Sequence, residues 1–471
     1  MLRNYIATKI LENLEFQPTP GQIEMIAELG GFLASGDSSE IMMVKGYAGT
    51  GKTTLVNSLV KTLASMKQKC VLLAPTGRAA KVLSSYTSQP AWTIHKKIYR
   101  QKSGKDGLGE FVLDRNLHKN TYFIVDEASM IGDRSADSVF GSGDLLRDLL
   151  DYVEMGSDCR MVLVGDTAQL PPVGLDISPA LSSERLEQLG YSVREIEMTD
   201  VIRQTQGSGI LHNATSIRNL ITDRVEDYPD FSFDAFEDIT MISGTDLLET
   251  ISASYDRYGT GETIVVTRSN KRANRFNAGI RSQILWREEQ VSPGDLLMVV
   301  KNNYFWKDGE NRIDFIANGD IVKVERVVNT EEVHGHRFAD LEVTLPDYDN
   351  LDLEVKVLLD VIDLDAPSLD REQQRTLYMS VSEDYPHVVN RRQMATKISI
   401  DPYYNALQVK FAYAVTCHKS QGGQWRSVFL DQGYFTDEML NLDYLRWLYT
   451  AFTRASEHLY LVNMAKQFIP A

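Results

Sequence analysis

Cysteine is scarce: Cys70, Cys159 and Cys417 are the only three in 471 residues. They are too few and too far apart for a disulfide framework or a zinc cluster, and the expectation is a reduced, cytoplasmic protein. No apolar run approaches the ~20 residues that span a bilayer, so no membrane segment is expected. The opening Met1-Leu2-Arg3-Asn4-Tyr5 lacks the pattern of a secretory leader. Low-complexity tracts and fixed short repeats are missing too. Positive charge is in deficit, with 49 Lys+Arg against 65 Asp+Glu, a net of −16. A surface that binds phosphates normally leaves a basic footprint. The deficit is local, however. Residues 221–240 hold seven acids and one arginine, and residues 331–370 hold twelve acids against one arginine and one lysine. These two blocks account for the whole excess, and the rest of the chain is neutral and free to carry a basic groove.

What remains is an ordinary globular composition, 43% hydrophobic and 24% charged, long enough for about three or four domains. Short apolar runs at 41–44, 71–74, 123–125 and 161–164 alternate with helical spacing, the pattern of buried parallel strands in an α/β layer. A second series of runs begins at 193–196 and continues at 263–266, 412–415, 428–430 and 459–462. Two α/β domains are expected, over 1–190 and over 191–290 plus 400–471. Between them, 291–399 reads as alternating, β-branched segments with little helical spacing, an inserted small β-barrel. Residues 99–120 read as a protruding β-hairpin.

Gly46-Tyr47-Ala48-Gly49-Thr50-Gly51-Lys52-Thr53 follows the first run and opens a helical segment. The spacing G-x-x-x-x-G-K-[ST] lets backbone N–H groups of a glycine loop, Gly46, Gly49 and Gly51 among them, curl around phosphate oxygens. Lys52 neutralises the β- and γ-phosphates of ATP, and Thr53 offers a hydroxyl to Mg²⁺. Tyr122-Phe123-Ile124-Val125-Asp126-Glu127 is an apolar strand ending in two carboxylates. Asp126 suits Mg²⁺, and Glu127 suits orienting and deprotonating an attacking water. Gln169, in Val164-Gly165-Asp166-Thr167-Ala168-Gln169, lies past a buried strand on the edge where α/β sheets bind ligands. Arg203 and Arg454 are candidates for stabilising charge on the transferring phosphoryl group.

Taken together and in this order, these motifs resemble the superfamily-1 DNA helicases of the 1B branch, RecD-like and Dda-like, with Pif-type relatives. Phe16-Gln17-Pro18-Thr19-Pro20-Gly21-Gln22 resembles the adenine-reading element. Leu73-Ala74-Pro75-Thr76-Gly77-Arg78, Thr93-Ile94-His95-Lys96 and Thr416-Cys417-His418-Lys419-Ser420-Gln421-Gly422 resemble the strand-contacting motifs. The resemblance implies two RecA-like P-loop domains with ATP between them, an inserted SH3-like barrel (291–399) and a hairpin or pin (99–120). It implies Gln22 as base reader, Thr54 and Gly422 as further nucleotide contacts, and Arg203 and Arg454 as fingers in the closed cleft. It also implies a monomeric motor that moves 5′-to-3′ on single-stranded DNA and opens duplex/single-strand junctions in repair, recombination or replication.

Binding a single strand requires donors to phosphate along a groove and π-faces for bases. Pro75, Thr76, Arg78, Thr93, His95, Thr267, Arg268, Asn270, Thr416, His418 and Lys419 are the candidates, none of them suited to reading sequence. Phe111 is the candidate aromatic tip of the hairpin, with Tyr99 and Leu108 as competitors. Besides a non-hydrolysing binding module, which the intact Glu127, Arg203 and Arg454 speak against, two rival functions stand beside this reading. One is a P-loop ATPase that remodels a partner other than nucleic acid. The other is a metal-dependent nuclease, because Pro346-Asp347 followed by Glu354-Val355-Lys356 matches the PD-(D/E)xK spacing.

Overall fold

A computed structural model describes the chain except residues 1, 15, 103–109, 134–140, 201–206, 308–312, 314 and 470–471. Strand β1 (Glu40–Gly46) shows why the apolar runs are continuous. Its Ile41 and Met43 pack in one layer with Leu73, Phe123 and Leu163, while Met42 and Val44 pack in the other with Ile26, Leu59 and Val162. Both faces are covered by helices, so no position is left for a polar alternation. In chain order follow β2 (Lys69–Ala74), β3 (Ala91–Thr93), β4 (Tyr99–Lys102), β5 (Glu110–Leu113), β6 (Thr121–Val125), β7 (Arg160–Gly165) and β8 (Ser192–Met198). The first sheet runs β3-β2-β6-β7-β1-β8, and every pairing in it is parallel. β4 and β5 pair antiparallel beside it, Gln101 opposite Phe111.

The expected boundary at 190/191 is corrected by β8. That strand lies in register against β1, with Ile196 opposite Val44, and belongs to the first lobe. As an edge strand its Ser192-Val193-Arg194-Glu195-Ile196-Glu197-Met198 buries only part of its length, so its apolar residues do not reveal which sheet they join.

The second lobe comprises β9 (Ile239–Ile242) and β10 (Thr263–Thr267), is interrupted, and resumes later. The interruption contains β11 (Leu296–Val299), β12 (Ile321–Val333), β13 (His336–Leu345), β14 (Leu351–Leu358) and β15 (Leu407–Phe411), closed into a five-stranded barrel. Two features depart from expectation. Besides the short helix Asp360–Asp363, the segment carries the helices Arg371–Ser382 and Arg391–Ser399, whose apolar stripes are too narrow to stand out: only Leu377 and Val381 are buried in the former and only Ile398 in the latter. The barrel also extends past 399, because β15 pairs with both β11 and β14. The buried stretch from Leu407 through β15 then runs almost without a break into β16 (Ala414–Thr416) of the second sheet. With β17 (Trp425–Asp431) and β18 (Ala455–Val462) that sheet is ordered β16-β10-β17-β18-β9, all parallel.

The barrel rests on the first lobe through the helix Gly77–Thr87. Lys81 donates to the Pro346 carbonyl at 2.7 Å and to Asp347 at 3.1 Å. Gly77 is required by this approach, since a Cβ there would lie 2.6 Å from the Asp320 carboxylate. Among the described residues no helix is long and apolar enough to cross a membrane.

Candidate nucleotide site and strand-binding face

The carboxyl ends of β6, β7 and β1 are adjacent in the first sheet, and each delivers one part of the site. After β1 the chain turns through Gly49 (φ 76°) and Gly51 (φ 85°), left-handed backbone that glycine adopts at no steric cost. Gly51 then caps the helix Lys52–Ser65 without a side chain in the way. Thr50 ties the turn down, its hydroxyl donating to the Tyr47 carbonyl at 2.8 Å. Lys52 folds over the loop and donates to the carbonyls of Gly46 (2.6 Å) and Tyr47 (2.8 Å), with Asp166 3.9 Å away. Thr53 and Thr54 stand half-buried in the first turn of that helix.

At the end of β6, Asp126 accepts from the Glu127 amide at 2.9 Å. Burial and the neighbouring Glu127 charge push its carboxyl up to about 7, against the pull of Lys52. A carboxylate this poorly solvated favours a cation beside it. Glu127 itself has φ 53°, a strained conformation for a non-glycine residue and one that recurs at functional sites. Past β7, Gln169 is buried and its Oε1 has no hydrogen-bond partner among the described residues, lining a small cavity with Ser129, Asp166 and Thr167. These groups fit a nucleotide with Mg²⁺: a glycine cradle, an ammonium held by weak carbonyl partners, a hydroxyl, a buried carboxylate and an orphaned amide oxygen.

Gln22 reaches this loop, but not as a free amide. It is 2% exposed, its Nε2 donates to the Thr50 carbonyl at 2.9 Å, and its Oε1 closes a capping box on the Thr19 amide at 3.0 Å. Gly422 is not placed at the phosphate loop. Its φ is 72°, and the nearest atoms to a Cβ there belong to Thr76, Ala79 and Met130, so its smallness serves the approach of the two lobes. Arg203 lies outside the described residues. Arg454 is buried within its own lobe, donating to the Thr450 carbonyl (2.9 Å), the Gly423 carbonyl (3.1 Å) and the Thr453 hydroxyl (3.1 Å).

Several residues that sequence reasoning passed over close the cleft. The helix Leu442–Phe452 sets Tyr449 against the loop, its hydroxyl accepting from the Ala48 amide and donating to Asp166, both at 2.8 Å. Thr450 accepts from the Leu170 amide at 2.8 Å, and Gln421 donates to the Leu170 carbonyl at 2.7 Å. Arg218 lies 4.8 Å above the Tyr47 ring. Their partners are up to 401 positions away in the chain, so no local pattern marks them.

The residues expected to touch a strand are mostly strand-to-helix turns. Thr76 and Thr93 are N-caps, accepting from Ala79 and Lys96 amides at 3.2 Å each. Thr416 caps the short helix Cys417–Ser420, and Asn270 opens the helix Asn270–Gln283. Pro75 precedes Thr76 and is half-buried. Thr267 is different: it is fully buried, donating to the Ser269 and Val415 carbonyls. Arg78 is turned toward the second lobe, 4.1 Å over the Trp425 ring and donating to the Gln424 carbonyl at 2.9 Å. His95 packs near Tyr99, and burial pushes its pKa down to about 4, leaving a neutral ring. Lys419 donates to Asn318 of the barrel. Arg268 and His418 are exposed and line an open cleft of about 670 Å³ with Pro171, Val173, Tyr444 and Trp447. Phe111 is not a tip. It is 6% exposed in β5, and its ring lies 4.2 Å from that of Tyr304. The two competitors divide: Tyr99 is buried and donates to Asp148 at 2.7 Å, and Leu108 lies outside the described residues.

The nuclease reading loses its lysine. Lys356 is held by Glu331 (2.8 Å) and Asp340 (2.7 Å), and Asp347 is paired to Lys81. No metal-binding group of three or more His, Cys, Asp or Glu occurs among the described residues.

Comparison with known proteins agrees with this geometry. Residues 18–231 match the AAA-domain family, and residues 411–462 match the UvrD-like helicase C-terminal domain. The phosphate-loop lobe is thus followed by a segment similar to the C-terminal domain of UvrD-like helicases. An ATP-dependent RecD2 DNA helicase from Deinococcus radiodurans is 33% identical over 37% of this chain and 21% of its own length. The ATP-dependent DNA helicase dda of Enterobacteria phage T4 is 26% identical over 60% of this chain and 62% of its own. An uncharacterised protein, R530, of Acanthamoeba polyphaga mimivirus is 23% identical over 90% and 95%. A solved Pif1 helicase from Bacteroides, in complex with ADP-AlF3 and single-stranded DNA, aligns over 97% and 95% with 15% identity and a TM-score of 0.46. Over part of its length the chain is thus similar to ATP-dependent DNA helicases of the RecD2 and dda kind. It spans less than two thirds of the RecD2 and dda relatives.

Proposed function

We propose that this chain is an ATP-dependent DNA helicase that travels 5′-to-3′ along a single strand and separates duplex at a single-strand junction. The observation that carries the reading is the docking of a second α/β lobe directly on the phosphate loop, through Tyr449 on Ala48 and Asp166. A motor needs hydrolysis to be felt by both lobes, and here they share hydrogen bonds at the reacting site.

In this mechanism Lys52 exchanges its carbonyl partners for the β- and γ-phosphate oxygens of ATP. Thr53 and Asp126 would hold Mg²⁺, which would neutralise charge on the phosphates. Glu127 orients water for attack, and the orphaned Gln169 amide senses the terminal phosphate. Arg454 leaves the Gly423 carbonyl and approaches the phosphoryl group as the cleft closes, with Arg203 as its companion. The open cleft bearing Arg268, His418, Tyr444 and Trp447 offers cations and ring faces to a sugar-phosphate chain with stacked bases. The motor acts as a monomer.

The test compares ATP hydrolysis with and without single-stranded DNA. Strong stimulation by DNA of any sequence is the expected result. An ATPase indifferent to DNA, or metal-dependent DNA cleavage without ATP, would replace this reading with one of its rivals.

A further inference from the structure

Tyr449 is 1% exposed, and its hydroxyl makes two hydrogen bonds that cross from one lobe to the other. Their polarity is fixed by chemistry. An amide can only donate, so the Ala48 N–H occupies a lone pair of the hydroxyl. The single phenolic proton is then left for Asp166 Oδ2. Burial and the Asp166 charge hold the phenol well above its ordinary pKa, so the proton stays on tyrosine. The other Asp166 oxygen, Oδ1, accepts from the Ala168 amide at 3.0 Å. One hydroxyl therefore joins a backbone donor of the phosphate loop to the aspartate that lies 3.9 Å from Lys52. The next residue, Thr450, grips the same segment at Leu170. The helix Leu442–Phe452 that bears both ends two residues before Arg454.

We infer that Tyr449 is a positioning residue that couples the motion of the second lobe to the ATP site. Any shift of its helix must break or drag both bonds. The Ala48 amide and the Asp166 carboxylate thus reorient with the lobe that binds the strand, and Lys52 feels the change through Asp166. Two full sets of partners cannot be kept in an opened cleft, because a buried amide and carboxylate left unpaired are costly. The bonds make the site two-state, formed or exchanged for nucleotide and water. This inference rests on the helicase reading, and its test separates the two.

Tyr449→Phe keeps the ring and removes only the hydroxyl. Steady-state ATPase is measured for wild type, Tyr449→Phe, Asp166→Asn and the double variant, each with and without single-stranded DNA. Tyr449→Phe is expected to lower the DNA-stimulation ratio about tenfold, a size usual for coupling between sites, through kcat, with the KM for ATP changed less than about threefold. Asp166→Asn should lower the same ratio, and the double variant should match the worse single variant because both act through one bond. A tyrosine that merely supports the fold would leave the ratio unchanged. Normal stimulation in Tyr449→Phe, or fully additive losses in the double variant, overturns the inference while leaving the helicase reading intact. An unstimulated wild type overturns that reading and the inference together. If Tyr449→Phe does not fold, Asp166→Asn alone decides: an unchanged ratio there is equally fatal.

Discussion

In the proposed mechanism Lys52 and Glu127 divide the work of the nucleotide site, and their variants should fail differently. Lys52→Ala removes the charge that meets the phosphates and is expected to abolish hydrolysis while strand binding persists, measured by ATPase rate and fluorescence anisotropy. Glu127→Gln keeps shape and loses the base. It should bind ATP and turn over about 10²–10⁴-fold more slowly, the usual worth of general-base catalysis. Turnover at the parental rate would remove Glu127 from the mechanism. The phosphate-type loop and the paired carboxylates are legible because they are written in eight and two consecutive positions. Gln22 and Gly422 were located less well, since a buried amide already committed to Thr50 and a glycine shaped by Thr76 look like ligand contacts in sequence. His95 carries a separate expectation. Its folded pKa, about 4, lies below the unfolded value near 6.5. The unfolded chain therefore takes up the proton first, and the stabilising contribution, intact above about pH 6.5, is lost as pH falls toward 4. The raised Asp126 and Asp320 carboxyls act oppositely, gaining protons in the fold over part of this range. The difference in Tm between wild type and His95→Gln, followed from pH 7.5 to 4.5, isolates the histidine. The gap should move in favour of the variant as the solution becomes acidic, and a constant gap contradicts the assignment.

The elements show where periodicity misleads. Continuous apolar runs identified β1, β6 and β7 because both faces of that sheet are covered. The edge strand β8 and the barrel strand β15 were assigned to the wrong neighbours, since pairing partners are a tertiary choice that strand composition does not record. The hairpin β4–β5 was visible, but the role of Phe111 was not. An aromatic near a turn reads as a wedge, and only the barrel residue Tyr304, 4.2 Å away, shows it as the hairpin's anchor. Phe111→Ala should accordingly loosen the hairpin by about 3–5 kcal/mol, the cost of deleting a buried phenylalanine. Limited proteolysis should then cut between β4 and β5 faster than in wild type. An unchanged cleavage rate would mean that Phe111 bears little load there.

At the scale of the molecule, the acidic excess and the proposed DNA groove occupy different ground. The barrel hairpin β12–β13 and strand β14 carry much of the negative block, while Arg268 and His418 line the cleft between the lobes. Affinity for single-stranded DNA should fall with salt, with a log–log slope of about −0.7 for each phosphate neutralised, and should be nearly indifferent to base sequence. A salt-insensitive or sequence-selective complex would not be that of a translocating motor. The central claim is tested most directly by strand separation on duplexes that carry a single-stranded tail at either the 5′ or the 3′ end, with ATP supplied. The account predicts efficient unwinding from the 5′ tail and little from the 3′ tail or from blunt ends. Unwinding from the 3′ tail alone would contradict the direction, and no unwinding from either, in a protein that hydrolyses ATP, would contradict the helicase itself.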